Sequence, residues 1–301
     1  MEISNLLIAF GFGVFGAALG ALAAFEFVGL LVIVLVTIQV CTGHPSDFVN
    51  LPFGYFGPHA GGFASGVAAT AYAARKGKLG SGRDITAGLC GLDAPDVLLV
   101  GGIFGIIGYL CIWVSNKIPA FSSGLGWTDT VAFTVVVSGF ITRLVFGKTG
   151  LLGKPAAGIS HLNPPAEKCW MPYHSRLPQL LTLGVGVGLA AGYLGLSLGS
   201  NGALLAFGVS AFSLIFLHFN TNIPISHHIG LPAATVAALS GSILWAGLIG
   251  ICCALLGELL SRLFLVHGDT HIDPPAFTIF IATTIIHFLA TIGLFNTITL
   301  I

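Results

Sequence analysis

Histidine is the side chain whose charge changes near neutral pH, and two of the ten histidines in this chain open matching stretches. His59-Ala-Gly61-Gly62-Phe-Ala-Ser-Gly-Val-Ala-Ala sits beside His227-His228-Ile-Gly230-Leu-Pro-Ala-Ala-Thr-Val-Ala. In each, a histidine precedes a run of small residues, as expected of a short, tightly packed helix. At a helix start His59 and His227 would meet free N–H groups and positive potential, which attract anionic groups. An imidazole there donates to a substrate or relays a proton; the plainer alternative is a loop histidine bonded to a local carbonyl. Gly61, Gly62 and Gly230 belong to the same candidate wall. His228 adds a second imidazole, although adjacent residues on a helix point in different directions.

Carboxylates complete the inventory. Glu26 lies inside the apolar run Leu22–Val40, with no other charge near it in sequence. Ionisable groups within a membrane segment are costly and point to function, and a carboxyl in apolar surroundings suits reversible protonation. The alternative places Glu26 near the headgroups, with Ala24–Glu26 joining two spans. Asp96 and Asp273 each stand at the start of an apolar run, where Asp is a favoured N-cap and Asp273-Pro274 adds the preferred first-turn proline. Capping is the simpler reading; cation coordination, or proton exchange with His59 and His227, is the functional one. The densest polar cluster is His267-Gly-Asp269-Thr-His271-Ile-Asp273. If extended, alternate residues face one way, so His267, His271 and Asp273 become weak candidates for a divalent metal. No HExxH, paired CxxC or EF-hand pattern supports a metal, and a short loop between spans explains the cluster equally well.

The elements that must position these residues follow from composition. Of 301 residues, 55% are hydrophobic and 7% charged, and the mean hydropathy is +0.97. A soluble domain carries about 25% charged residues. Eleven Lys plus Arg and eleven Asp plus Glu cannot cover a water-exposed surface of this size without large apolar patches. A soluble enzyme and a disordered chain are excluded, and zero net charge leaves no basic stripe for a nucleic acid. The composition predicts an all-α polytopic membrane protein, with the lipid bilayer as its first partner.

A crossing takes about 20 apolar residues. Runs at 5–24, 25–41, 96–115, 128–147, 178–199, 202–219, 243–265 and 274–298 predict about eight transmembrane helices. Pro58–Ala74 and Ile229–Ser242 are short, follow Pro- and Gly-rich segments, and read as broken or re-entrant helices. Arg75, Lys76, Lys78 and Arg83 form one basic cluster, and Arg143, Lys148, Lys154, Lys168 and Arg176 another. Cytoplasmic loops carry the Lys/Arg excess. With Pro58–Ala74 as one crossing, loops 75–95 and 148–177 share the cytoplasmic side of a plasma (inner) membrane and the N-terminus lies outside. Glycines four apart (Gly16/Gly20, Gly101/Gly105, Gly184/Gly188/Gly192) line helix faces that pack closely.

The order of span, irregular loop, histidine, small-residue helix, loop, aspartate and span recurs, with Asp96 answering Asp273. It predicts two structurally related halves, 1–147 and 178–301, joined by a solvated cytoplasmic connector, 148–177. With Pro58–Ala74 counted as a span, five crossings separate equivalent points and the repeat is inverted; a re-entrant element there would change the parity. Transporters are often built this way, with sites where discontinuous helices meet. The six cysteines sit in or beside apolar runs with no disulfide framework. Gly147-Lys148-Thr149 lacks the upstream glycine of a phosphate loop, and no cofactor motif is present. The function expected is a transporter or channel for a small ion or polar solute, with its pathway between the halves. His59, Gly61, Gly62, His227, His228 and Gly230 would line it, and Asp96, Asp273 and Glu26 would couple protons or cations. The alternatives are an intramembrane metalloenzyme built on His267, His271 and Asp273, a non-catalytic subunit of a complex, and, for assembly, a homo-oligomer.

Overall fold

The computed structural model describes residues 2–122 and 126–297. The protein is all-helical, and no strand occurs among the described residues; β pairing is limited to an isolated bridge between Gly82 and Thr270. Ten main helices run in the order α1 (Ile3–Leu19), α2 (Ala21–Thr42), α3 (Ala64–Arg75), α4 (Pro95–Ser115), α5 (Thr130–Phe146), α6 (Leu177–Leu198), α7 (Ser200–Phe212), α8 (His227–Ser240), α9 (Ile243–Phe264) and α10 (Pro274–Thr291). Tighter turns prolong α7 to Phe219. Among the described residues six helices are long and apolar enough to cross a membrane, and α1 and α5 are shorter apolar helices of 17 residues. The fold is consistent with an α-helical membrane protein. The last residues of the 274–298 run, beyond 297, lie outside the described residues.

One boundary differs from the sequence reading. The first apolar stretch breaks at Gly20, not after residue 24. Gly20 holds φ +97°, and a Cβ there would meet the Ala87 carbonyl oxygen at 2.5 Å. Gly199, at φ +59°, makes the matching break between α6 and α7. Side chains other than glycine resist positive φ, so each long apolar run bends where its glycine sits. Glu26 is therefore well inside α2 and does not join two spans.

Residues 47–63 are irregular, with two tight turns at Asp47–Asn50 and Leu51–Tyr55. They run beside α1 and α4 instead of turning back. The Tyr55 hydroxyl donates to Asn5 Oδ1 at 2.9 Å, and its ring stacks on Tyr109 at 5.4 Å. The His59 carbonyl lies on Gly108, the Gly61 carbonyl on Gly16, and Gly66 on Ala21. At the far end the Tyr72 hydroxyl donates to Asp96 Oδ2 at 3.0 Å. Twelve residues of α3 span only about 18 Å, so the irregular segment supplies the remaining length along α4.

Helix α1 packs on α4, and α3 on α4 and α5; α6 packs on α9, and α8 on α9 and α10. Residues 1–147 meet residues 178–301 in a seam formed by α2 against α7 and α5 against α10. The largest apolar cluster, including Phe25, Val28, Phe63, Val135, Phe207 and Ile279, fills that seam.

Both basic loops gather at one end. Arg83 Nη1 donates to the Val266 carbonyl at 2.9 Å, the Lys154 N–H to the His267 carbonyl at 2.8 Å, and Arg75 to the Val145 carbonyl. Arg143, counted with the loop cations in the sequence, is instead buried inside α5. The connector is not merely solvated. Its stretch after Pro165 tucks under the helices, burying Cys169 and His174, and the Tyr173 hydroxyl donates to the Ile223 carbonyl at 2.9 Å.

Asp269 anchors this end, accepting from the Lys148 N–H at 2.6 Å and from Thr149 Oγ1 at 2.7 Å. Burial alone would raise its pKa. Those hydrogen bonds, together with the Arg143 charge, outweigh burial and hold the carboxyl below the ordinary aspartate range. A depressed folded pKa gives stability that is complete above the unfolded value of about 3.9 and is lost as the pH falls through the folded one. Thermal unfolding of Asp269→Asn should therefore fall below that of the unmodified protein at pH 7 and converge with it in acid. An equal gap at pH 7 and pH 3 would contradict this role.

Candidate functional site

A cavity of about 100 Å³ lies in the seam where α2, α5, α7, α8 and α10 meet. Its walls come from α2 (Leu22, Phe25), α5 (Asp129, Val135), α7 (Leu204, Phe207), α8 (His227, Leu231) and α10 (Asp273, Ile279), with Pro58 and Phe63 from the irregular crossing and Trp170 from the connector. Most of the lining is apolar. The polar exceptions include two aspartates and a histidine.

The two aspartates occupy the same structural position. Asp129 caps α5, its Oδ1 accepting from the Ala132 N–H at 2.8 Å; Asp273 caps α10, its Oδ2 accepting from the Ala276 N–H at 2.8 Å. The sequence after each is closely similar: Asp129-Thr-Val-Ala132-Phe133-Thr134-Val against Asp273-Pro-Pro-Ala276-Phe277-Thr278-Ile. A short polar residue followed by a good first turn is an N-terminus signal, and here the signal lies inside the protein. The Asp129 N–H donates to Thr283 Oγ1 of α10 at 3.3 Å, and Gly139 of α5 lies against Ile272 just ahead of α10. The start of each helix therefore docks partway along the other. Sequence reasoning missed Asp129; the repeated Asp-x-x-Ala-Phe-Thr was the signal that could have found it.

Other expected residues are placed as follows. Asp273 is in the cavity, and its Oδ1 is 3.1 Å from His271 Nε2. Asp96, paired with Asp273 in the sequence reading, is instead at the half-exposed start of α4, with Tyr72 and Lys76 as neighbours. Asp129, and not Asp96, matches Asp273 in its cap geometry and in the residues that follow it. Glu26 is buried on the α2–α7 side, with Oε1 3.1 Å from His218 Nε2, and does not line the cavity.

His227 begins α8 as expected and lines the cavity; it is 4% exposed, and its ring centroid is 5.0 Å from that of Phe25. His228 faces away and packs on Gly257 of α9. His59 is not at a helix start. It is fully buried in the turns before α3, because the helix begins only at Ala64, and its carbonyl presses on α4. Gly61 and Gly62 seat the crossing against α1 and α2, and Gly230 lies within α8 near Ser210 and Ala191; they are packing positions outside the cavity lining.

The candidate metal ligands do not converge. His267 Nε2 is 3.3 Å from the His161 carbonyl, Asp269 serves the loop network, and His271 serves Asp273. No group of three or more His, Cys, Asp or Glu side chains is placed to hold a metal ion among the described residues. The 265–273 stretch is pinned by neighbouring loops, which breaks the one-sided alternation that ligation needs.

Two half-buried carboxylates and a buried imidazole in an otherwise apolar chamber can hold a cation, exchange protons, or both. No curated protein and no solved structure matches the chain. A family model described as Family of unknown function (DUF7973) matches residues 1–169 and 163–301, and with both segments spanning the protein from end to end, the chain belongs to that family.

Proposed function

We propose that the chain is an integral membrane transport protein that moves a small ion or polar solute through a pathway between two inverted halves. The observation that carries this reading is the single cavity shared by Asp129 and Asp273, each capping the fifth helix of its half. Five helices per half is an odd number, so a second copy enters the bilayer upside down. Two helices that start inside the membrane from opposite sides, each ending its backbone ladder at an ionisable cap, form the discontinuous-helix geometry used at transport sites. The helix pairings that recur in the two halves support the repeat. So does the aligned His59-x-Gly61-x-x-Ala64-x-x-Val67-Ala-Ala against His228-x-Gly230-x-x-Ala233-x-x-Val236-Ala-Ala, one step from the register that starts at His227. The gathering of both basic loops at one end supports a cytoplasmic placement for loops 75–95 and 148–177, with the N-terminus outside a plasma membrane.

Proteoliposomes enclosing a pH-sensitive dye, challenged with alkali cations and small polar solutes under a proton gradient, test the proposal. A solute-dependent response is expected, and Asp129→Asn and Asp273→Asn should each reduce it at least tenfold. Asparagine caps a helix about as well as aspartate, so these variants remove charge without removing the cap. Asp96→Asn serves as the control and should transport normally. Undiminished flux in both cavity variants would refute the assignment.

A further inference from the structure

We infer that the cavity binds a small organic ammonium ion, a ligand class that rests on reading this cavity as the transport site. Three observations converge on it. Asp129 and Asp273 line the chamber, and no Lys or Arg does among the described residues. Carboxylates in apolar surroundings require a countercharge or a proton. Asp273 has His271 at 3.1 Å. Among the described residues Asp129 accepts from backbone N–H groups at its own helix start alone, so a ligand is the natural source of its positive partner.

The second observation is independent of the acids. His227 is 4% exposed, lines the same cavity, and its Nδ1 has no hydrogen-bond partner among the described residues. A buried polar atom left unpaired is costly unless something else fills its bond. A neutral imidazole nitrogen accepts from an ammonium N–H, and the carboxylates accept its other protons. Asp273 lines the same cavity, so these two groups share one chamber.

The third observation is the lining itself. Phe25 is at the centre of an aromatic cluster, 5.6 Å from Phe63, 5.8 Å from Phe207 and 5.0 Å from the His227 ring. Aromatic rings attract cations whose charge is spread over C–H bonds, most strongly where water is excluded. They offer nothing to a metal ion, which wants about six or more oxygen ligands. A chamber of about 100 Å³, well above the ~15 Å³ that a single water needs, admits an ammonium of a few carbons. Charge, acceptor and aromatic surface thus select the same ligand.

Binding of methyl-, dimethyl- and tetramethylammonium chloride to the purified full chain in detergent, by calorimetry and thermal shift, tests this. At least one should bind saturably and raise the unfolding temperature, while sodium chloride and tert-butanol at equal concentration do not. Asp129→Asn and Asp273→Asn should each weaken binding about 10- to 100-fold, the range for a hydrogen bond to a charged group, with monodisperse elution confirming that they fold. Asp96→Asn should bind like the unmodified protein. No saturable response to any of the three ammonium ions overturns the inference, as does an equal response to sodium or to tert-butanol. The two readings fail separately. Ammonium binding without flux in vesicles leaves the site and removes the transport role. Aspartate-dependent flux of another solute, with no ammonium binding, leaves the transport role and removes the ligand class.

Discussion

Arg143→Met is expected to destabilise the protein by about 3–5 kcal/mol, the cost of stripping one partner from a buried charged network. The Arg143 side chain is fully buried, and its guanidinium makes four hydrogen bonds. Nε donates to Thr270 Oγ1 at 2.6 Å, Nη1 to the Leu151 carbonyl at 3.0 Å, and Nη2 to the Phe264 carbonyl at 3.0 Å and the Thr270 carbonyl at 2.6 Å. Asp269 Oδ1 stands 4.0 Å from Nε. Methionine retains much of the stem volume but leaves these acceptors without a donor. Arg143→Lys keeps the charge and loses the planar fork, so it should recover less than half of the loss. Chemical unfolding of the detergent-solubilised protein measures both. A Met variant within about 0.5 kcal/mol of the unmodified protein, as for an ordinary surface change, would show that the network is dispensable. Because Arg143 ties the end of α5 to the stretch leading into α10, the surviving fold of Arg143→Lys should also show weaker ammonium binding at Asp273.

Gly108→Ala carries the second largest expected effect, through shape alone. A Cβ at Gly108 would stand 1.8 Å from the His59 carbonyl oxygen, 2.7 Å from its carbon and 3.0 Å from Ala60 Cα. All three are backbone atoms of the irregular crossing, which cannot rotate aside as a side chain can. Overpacking of this kind costs about 1–3 kcal/mol, and Val in place of Ala should exceed that range. Gly11 and Gly186, helical glycines where an added methyl group would meet nothing within 4 Å, provide the contrast. There Ala should be neutral or stabilising by up to about 1 kcal/mol, since it removes glycine's entropy cost in a helix. Equal unfolding midpoints for Gly108→Ala and Gly11→Ala would refute the argument.

How much is legible in the sequence depends on the range over which each feature is determined. The apolar runs at 96–115, 178–199 and 243–265 match α4, α6 and α9 within a residue or two, because twenty apolar residues specify a helix by themselves. The Gly20 break is invisible in the sequence because the apolar run continues through it; only its positive φ and the approach of Ala87 mark the bend. His227 stands at a helix start, as its sequence predicts. His59 does not, since the pattern of small residues begins at position 59 while Gly61 and Gly62 delay the helix to Ala64.

Asp96 stands out in the sequence ahead of Asp129 because an aspartate ahead of a span looks alike at either place from local sequence. Distinguishing them requires knowing which helix of each half is equivalent, or noticing the repeated Asp-x-x-Ala-Phe-Thr. Arg143 groups with the loop cations for a similar reason. It is near the end of an apolar run, and nothing nearby in sequence reveals the carbonyls of Phe264 and Thr270, more than a hundred residues away, that receive it.

The sequence by itself determined the class of protein, since twenty-two charged residues in 301 cannot face water, and with it the helical character, the approximate helix ends and the grouping of the basic loops. These follow from composition and short-range periodicity, which act before any tertiary contact forms. Only the tertiary structure decided that Asp129 and Asp273 share a chamber, that His227 joins them while Glu26, His59 and Asp96 do not, and that Arg143 is a buried staple. Those outcomes depend on how the helices pack through α2–α7 and α5–α10, where contacts join residues too far apart in the chain for any local pattern to encode them.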